Sequence, residues 1–281
     1  MNDQQSYFAA NRELWNKRTA IHAASSFYDL EGFKKGGSSL NKIELEELGD
    51  VNGKSLLHLQ CHFGMDTMSW QRLGAVCTGV DFSDEAIGLA KTINDELNLD
   101  TVFACSNIYD LKDVLKTTPE GKVLKGSFDI VFTSYGTIGW LPDLNEWAAI
   151  IAYFLKPGGI FYIVDFHPVI WMMDEKFEHV KYDYFNSAVI AEAHTGTYTD
   201  REAPIKLKEY GWNHPFSEII QALIHNGLFV LQFNEYPFSP YNCFENLEQG
   251  ADGMWRIRGM DEKIPMLYSI KAVKNPDSYR E

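Results

Sequence analysis

Basic charge is scarce in this chain. It carries 25 Lys and Arg against 39 Asp and Glu, a formal charge of −14. A broad nucleic-acid footprint needs clustered Lys and Arg to meet phosphates, so no nucleic-acid partner is expected. An anionic membrane surface is disfavoured on the same ground. Cysteine is also scarce. Cys61, Cys77, Cys105 and Cys243 contain no CxxC pair, so a disulfide scaffold is not expected and a reducing, cytoplasmic setting is. No stretch approaches the roughly 18 apolar residues of a membrane span. The opening MNDQQSYFAANRELW lacks the apolar core of a signal peptide. Internal repeats, low-complexity segments and a GxGxxG loop are missing as well.

What remains suffices for one large domain, or one core with an insertion. The chain has 281 residues, 45% of them hydrophobic, enough for a full core. Its organising stretch is residues 55–83, SLLHLQCHFGMDTMSWQRLGAVCTGVDFS. Ser55–Leu59 reads as a short buried strand, Gln60–Gly64 as a turn and Asp66–Leu73 as a helix ended by Gly74. Val76–Val80 is a second strand with Asp81 at its end. In such a βαβ unit both strand tips open at one sheet edge, where nucleotide-like ligands bind. The Gly64-to-Asp81 spacing is close to that of a ribose-binding acid.

The alternation continues. Ser83 is a good N-cap for SDEAIGLAKTINDEL. Strands follow at Thr101–Cys105, Phe128–Thr133 and Ile160–Asp165, with helices over 110–116 and Asp143–Leu155 between them and a loop over 117–126. Lys156–Gly159 is a turn. Short apolar runs of this kind suit strands buried on both faces of a parallel sheet. Before this core, residues 1–54 form an N-terminal cap with helices at Phe8–His22 and Ile43–Leu48 and a loop over 23–39. Residues 166–210 break the pattern with many aromatics and read as an insertion, hairpin-like, beside the ligand edge. Residues 211–281 complete the core domain with a helix at Pro215–Asn226 and strands at Leu228–Tyr236 and Ile264–Val273. Loop is expected over 245–253 and fraying from Lys274.

LLHLQCHFG, GVDFS, FDIVF and LKPGG, in this order over residues 50–165, make the chain resemble a class I S-adenosylmethionine-dependent methyltransferase. The wording of the first motif is similar to that of a bacterial subgroup with an HLQCHFG-type turn. This variant departs from the family turn: His58 stands at the position of an acid, and Gln60 and His62 stand at two glycine positions. The resemblance implies an α/β, Rossmann-like, doubly wound sheet of seven strands. It is mostly parallel, with an antiparallel C-terminal edge strand and helices on both faces. The implied cofactor is S-adenosyl-L-methionine. The implied reaction is in-line methyl transfer to a small-molecule acceptor, achieved mainly by positioning. A cofactor-binding sensor without catalysis and a nicotinamide-dependent oxidoreductase are the rival readings. Monomer and homodimer both remain open.

Under this resemblance Asp81 accepts the ribose hydroxyls, and Phe82, Asn107 and Ile108 meet the adenine. Gln60, His62 and Gly64 cradle the amino-acid end, with His58 beside it. Ser134 and Tyr135 end the fourth strand nearest the methyl group, Tyr135 as a candidate catalytic residue. Tyr28 folds over the methionine part. His167 and His214 are candidate bases, given the imidazole pKa range. Trp140, Trp171 and Trp212 are substrate-pocket candidates. No metal is expected, because His58, Cys61 and His62 lack a ligand spacing.

Overall fold

The computed structural model describes residues 3–118 and 121–276. Two residues of the 117–126 loop and the tail beyond 276 lie outside the described residues. Lys274, where fraying was expected to begin, instead ends the last strand, with Nζ donating to Ala152 O at 2.6 Å and Leu155 O at 2.8 Å. Three helices, α1 (Asp3–Ala24), α2 (Leu30–Lys34) and α3 (Lys42–Leu48), precede the first strand. The core then runs β1 (Ser55–Leu59), α4 (Met65–Arg72), β2 (Val76–Asp81), α5 (Asp84–Glu96), β3 (Val102–Cys105), α6 (Leu111–Val114) and β4 (Phe128–Ser134). It continues with α7 (Leu144–Phe154) and β5 (Leu155–Phe166). After α8 (Pro168–Trp171) come β6 (Ile190–Thr195), β7 (Lys206–Gly211), α9 (Phe216–His225), β8 (Leu228–Tyr236), β9 (Leu247–Gln249), β10 (Trp255–Ile257) and β11 (Leu267–Lys274).

The apolar runs become a seven-stranded sheet in the order β3-β2-β1-β4-β5-β11-β8. The five strands β3 to β5 pair in parallel. At the C-terminal edge, β11 runs antiparallel to both β5 and β8. Strand period sends alternate residues to opposite faces. Leu57, Leu59, Val131, Phe161 and Ile163 pack with Trp147, Ile151 and Phe154 of α7 and Leu223 of α9. Leu56, Ile130, Phe132, Tyr162 and Val164 pack with Trp70 of α4 and Leu48 of α3. Both faces are therefore dry, as unalternating apolar runs require.

Capping fixes where the helices begin. Ser83 Oγ accepts from Ala86 N at 3.1 Å, and Asp143 Oδ1 accepts from Glu146 N at 2.9 Å. LKPGG is drawn into the irregular start of β5, whose register against β4 shifts between Phe128 and Ile130. A side chain at Gly159 would come within 2.9 Å of the Lys156 carbonyl oxygen. Nearby, Asp129 binds Lys156 Nζ at 2.7 Å and the Ser55 N–H at 2.9 Å.

Two stretches read as loop are partly regular. Residues 23–39 contain α2, started by Asp29, whose carboxylate accepts from Gly32 N at 3.1 Å. Residues 245–253 contain β9, paired with β10. Five- and three-residue elements carry too little periodicity to be seen in sequence. The aromatic-rich segment after β5 ends in the antiparallel hairpin β6–β7. Helix α1 straps this hairpin to the core. Asn11 gives two bonds to the Tyr210 backbone (2.7 and 2.9 Å), Arg18 bonds Glu209 at 2.8 Å, and Asn16 accepts from Ser83 Oγ at 2.7 Å.

Candidate active site

The strand order reverses between β1 and β4, so their neighbouring helices leave a crevice at the strand ends. A cavity of about 1110 Å³ lies there, between the tips of β1, β2 and β4, helix α1 and the β6–β7 hairpin.

The turn after β1 forms one wall. Gln60 (φ 56°), His62 (φ 51°) and Gly64 (φ 77°) all take left-handed backbone. For a residue with a Cβ this costs roughly 1–2 kcal/mol. Gln60 and His62 thus keep the chain path that glycine would give. A side chain at Gly64 would be strained and crowded, because a Cβ there would lie 2.5 Å from the Phe103 ring. The turn is held by Asp81, whose Oδ2 accepts from His62 N at 2.8 Å and whose Oδ1 accepts from Ser83 N at 2.9 Å. Each carboxylate oxygen has a further lone pair. Asp81 is only 8% exposed, and burial pushes its pKa up to about 6. Gln60 Nε2 donates to Thr137 O at 2.8 Å. Its buried Oε1 has no hydrogen-bond partner among the described residues.

Phe82, Asn107 and Ile108 line the cavity near Asp81. Asn107 also caps its own turn, Oδ1 accepting from Tyr109 N at 3.2 Å. Ser134 Oγ donates to Asp66 Oδ2 at 3.0 Å, and Ser39 Oγ donates to Asp66 Oδ1 at 2.6 Å. Tyr135, also left-handed at φ 42°, lines the cavity and donates to Glu44 Oε2 at 2.8 Å. Burial pushes Glu44 up to about 7.

His58 lines the cavity with Nδ1 2.8 Å from Thr67 Oγ1. Burial holds its pKa down at about 3, so it is neutral. His62 Nε2 lies 3.0 Å from His22 Nδ1, and burial lowers both. Tyr28 OH meets Tyr198 OH at 2.5 Å. Trp140, Trp171 and Trp212 line the cavity, and Trp140 stands edge-on to Trp15 at 5.4 Å.

His167 and His214 require correction as candidate bases, because neither lines the cavity. His167 is buried with Nε2 2.8 Å from Glu235 on β8 and Nδ1 accepting from Val169 N at 3.1 Å. His214 is buried with Nε2 2.8 Å from Leu141 O and Nδ1 3.0 Å from Glu218. Both imidazoles are consumed by structural bonds. The cavity also contains residues that sequence reasoning missed. Asp66 stood in plain view two residues after Gly64 but read only as a helix start. Arg18, Glu192, His194 and Glu209 join the lining through α1 and the hairpin, and nothing local in the sequence marks them.

Residues 56–221 match the methyltransferase-domain family, and the chain belongs to that family. It is 30% identical over 141 residues to the ubiquinone biosynthesis O-methyltransferase of Saccharophagus degradans, covering 48% of this chain and 55% of that protein. It is 33% identical over 139 residues to an uncharacterized methyltransferase of Synechocystis, covering 49% and 59%. The chain thus spans little more than half the length of these relatives. Among solved structures, a Listeria monocytogenes protein described as an S-adenosylmethionine-dependent methyltransferase superposes with a TM-score of 0.58. Their identity is 20%, with 83% of this chain and 96% of that one covered, a likeness of fold.

Proposed function

We propose that this chain is a class I S-adenosylmethionine-dependent methyltransferase of the HLQCHFG-type subgroup, acting in the cytoplasm on a small-molecule acceptor. One observation carries the reading: the buried Asp81 carboxylate and the left-handed Gln60–Gly64 turn meet in one cavity at the sheet's switch point. The donors and acceptors there fit the cofactor. Asp81 has lone pairs left for a ribose diol. Gln60 Oε1, buried without a partner among the described residues, and Asp66 are acceptors for an ammonium group. Phe82 offers an apolar face to adenine beside Asn107 and Ile108, and Tyr28 closes the methionine side.

S-adenosylmethionine, when bound, supplies a methyl group on a sulfonium, already activated for displacement. The protein's part is alignment, which can supply roughly 7–11 kcal/mol. Asp81 stiffens the turn by accepting the His62 amide. Glu44 holds the Tyr135 hydroxyl, so that ring has one position in the wall. Trp140 and Trp212 exclude water. The names of the ubiquinone-biosynthesis relatives support an oxygen atom as acceptor.

Thermal shift with S-adenosylhomocysteine and with NADH tests the reading. A ligand at a hundredfold excess over Kd adds about 2.7 kcal/mol, or roughly 5–10 °C for a chain of this size. That shift is expected with S-adenosylhomocysteine alone. A shift with NADH alone overturns the proposal. Tight S-adenosylhomocysteine binding with no turnover across oxygen, nitrogen, sulfur and carbon acceptors supports a sensor instead.

A further inference from the structure

The hairpin wall of the cavity carries a cluster of two carboxylates and an imidazole, separate from the residues assigned above to the cofactor. On β6, Glu192 and His194 are two residues apart and so share a face. On β7, Glu209 is the direct partner of Glu192 in the register. One atom each from Glu192, His194 and Glu209 lies within 4.8 Å of the others. His194 Nε2 is 2.6 Å from Glu192 Oε2 and 3.7 Å from Glu209 Oε1.

The outward atoms of all three side chains are tied elsewhere. Glu192 Oε1 accepts from Lys181 Nζ at 2.9 Å and from the Tyr182 hydroxyl. Glu209 Oε2 accepts from Arg18 at 2.8 Å. His194 Nδ1 faces Glu175 Oε1 at 3.1 Å. Each ligand thus turns one atom inward and has the other oriented from behind. A carboxylate behind an imidazole is the arrangement that orients metal-bound histidines. An independent feature lies beside it. Arg18 lines the same cavity and is 8% exposed, and its Nε–H has no partner among the described residues. That buried donor calls for an acceptor atom from a ligand.

We infer that Glu192, His194 and Glu209 bind one divalent first-row cation, Mn²⁺ or Zn²⁺, which carries an oxygen ligand within reach of Arg18. The imidazole favours these ions over Mg²⁺ and Ca²⁺, which prefer all-oxygen sites. That the oxygen ligand is the methyl acceptor rests on the methyltransferase reading; the cation site itself does not.

Full-length protein, stripped with chelator, is titrated calorimetrically with MnCl₂, ZnCl₂ and MgCl₂, and Mn²⁺ occupancy is followed by electron paramagnetic resonance. The wild type is expected to take one equivalent of Mn²⁺ or Zn²⁺ more tightly than Mg²⁺. His194→Ala is expected to weaken this at least 100-fold. Glu175→Gln, which keeps all three ligands, is expected to weaken it 10–100-fold. It stands as the second variant if His194→Ala fails to fold. No saturable binding at millimolar metal, or equal binding in wild type and both variants, overturns the inference. S-adenosylhomocysteine is titrated into the same samples. Metal binding without S-adenosylhomocysteine binding refutes the cofactor reading and leaves the cation site standing; the converse refutes the site alone.

Discussion

Asp81 illustrates how much one side chain decides. It ends β2, holds the turn after β1, and faces the cavity. A diol donates to its ionised form, so protonation competes with binding. With the free-state pKa near 6, S-adenosylhomocysteine affinity is expected to be flat above pH 7 and to fall, up to tenfold per unit, as pH drops below 6. Titration calorimetry from pH 5 to 8 checks this. Asp81→Asn exchanges two charge-assisted bonds for neutral ones at roughly 1 kcal/mol each. A loss of about 30-fold and of the pH dependence is expected, and unchanged affinity would remove Asp81 from the site. The sequence made this residue legible because its position relative to strand and cap is local. His167 and His214 were misread for the opposite reason. Their placement after strand ends was readable, but the Glu235, Leu141 and Glu218 partners that consume them arrive from other elements.

Elements show the same division. The seven strands of the main sheet and α4, α5 and α7 were readable because apolar runs, caps and glycines lie within each. Helix α1 was readable as a helix, but its role as a strap was not. Asn11 is 1% exposed and pairs with both backbone groups of Tyr210 on β7, 199 residues away. Asn11→Ala leaves an amide and a carbonyl unpaired, at about 1–3 kcal/mol. A lower urea midpoint is expected, together with faster amide exchange in Lys206–Gly211. Unchanged exchange there would mean that α1 does not hold the hairpin.

Across the whole molecule, stability is tied to pH through buried acids. Glu44 is fully buried, and burial, with Asp66 nearby, pushes its pKa from 4.5 to about 7. The folded state therefore keeps a proton that the unfolded state releases. Its contribution is present below pH 4.5 and is lost as pH rises to 7, amounting to about 3 kcal/mol at 1.36 kcal/mol per unit. Urea unfolding of wild type and Glu44→Gln should diverge by that amount between pH 4.5 and 7.5. Parallel curves would show that Glu44 ionises normally. No helix among the described residues is long and apolar enough to cross a membrane.

Residues 55–165 carried the parallel sheet, the switch-point edge and Asp81 in their order alone. Strand period, caps and turn glycines act over fewer than about ten residues, so a linear reading captures them. The far walls of the cavity were decided only in three dimensions. Arg18 sits on a readable helix, but its place in the wall was not readable, and Tyr198 and the Glu192–His194–Glu209 cluster come from a segment without a distinctive local pattern. Long-range packing and hairpin register bring them together, and neither is written in any single stretch of chain.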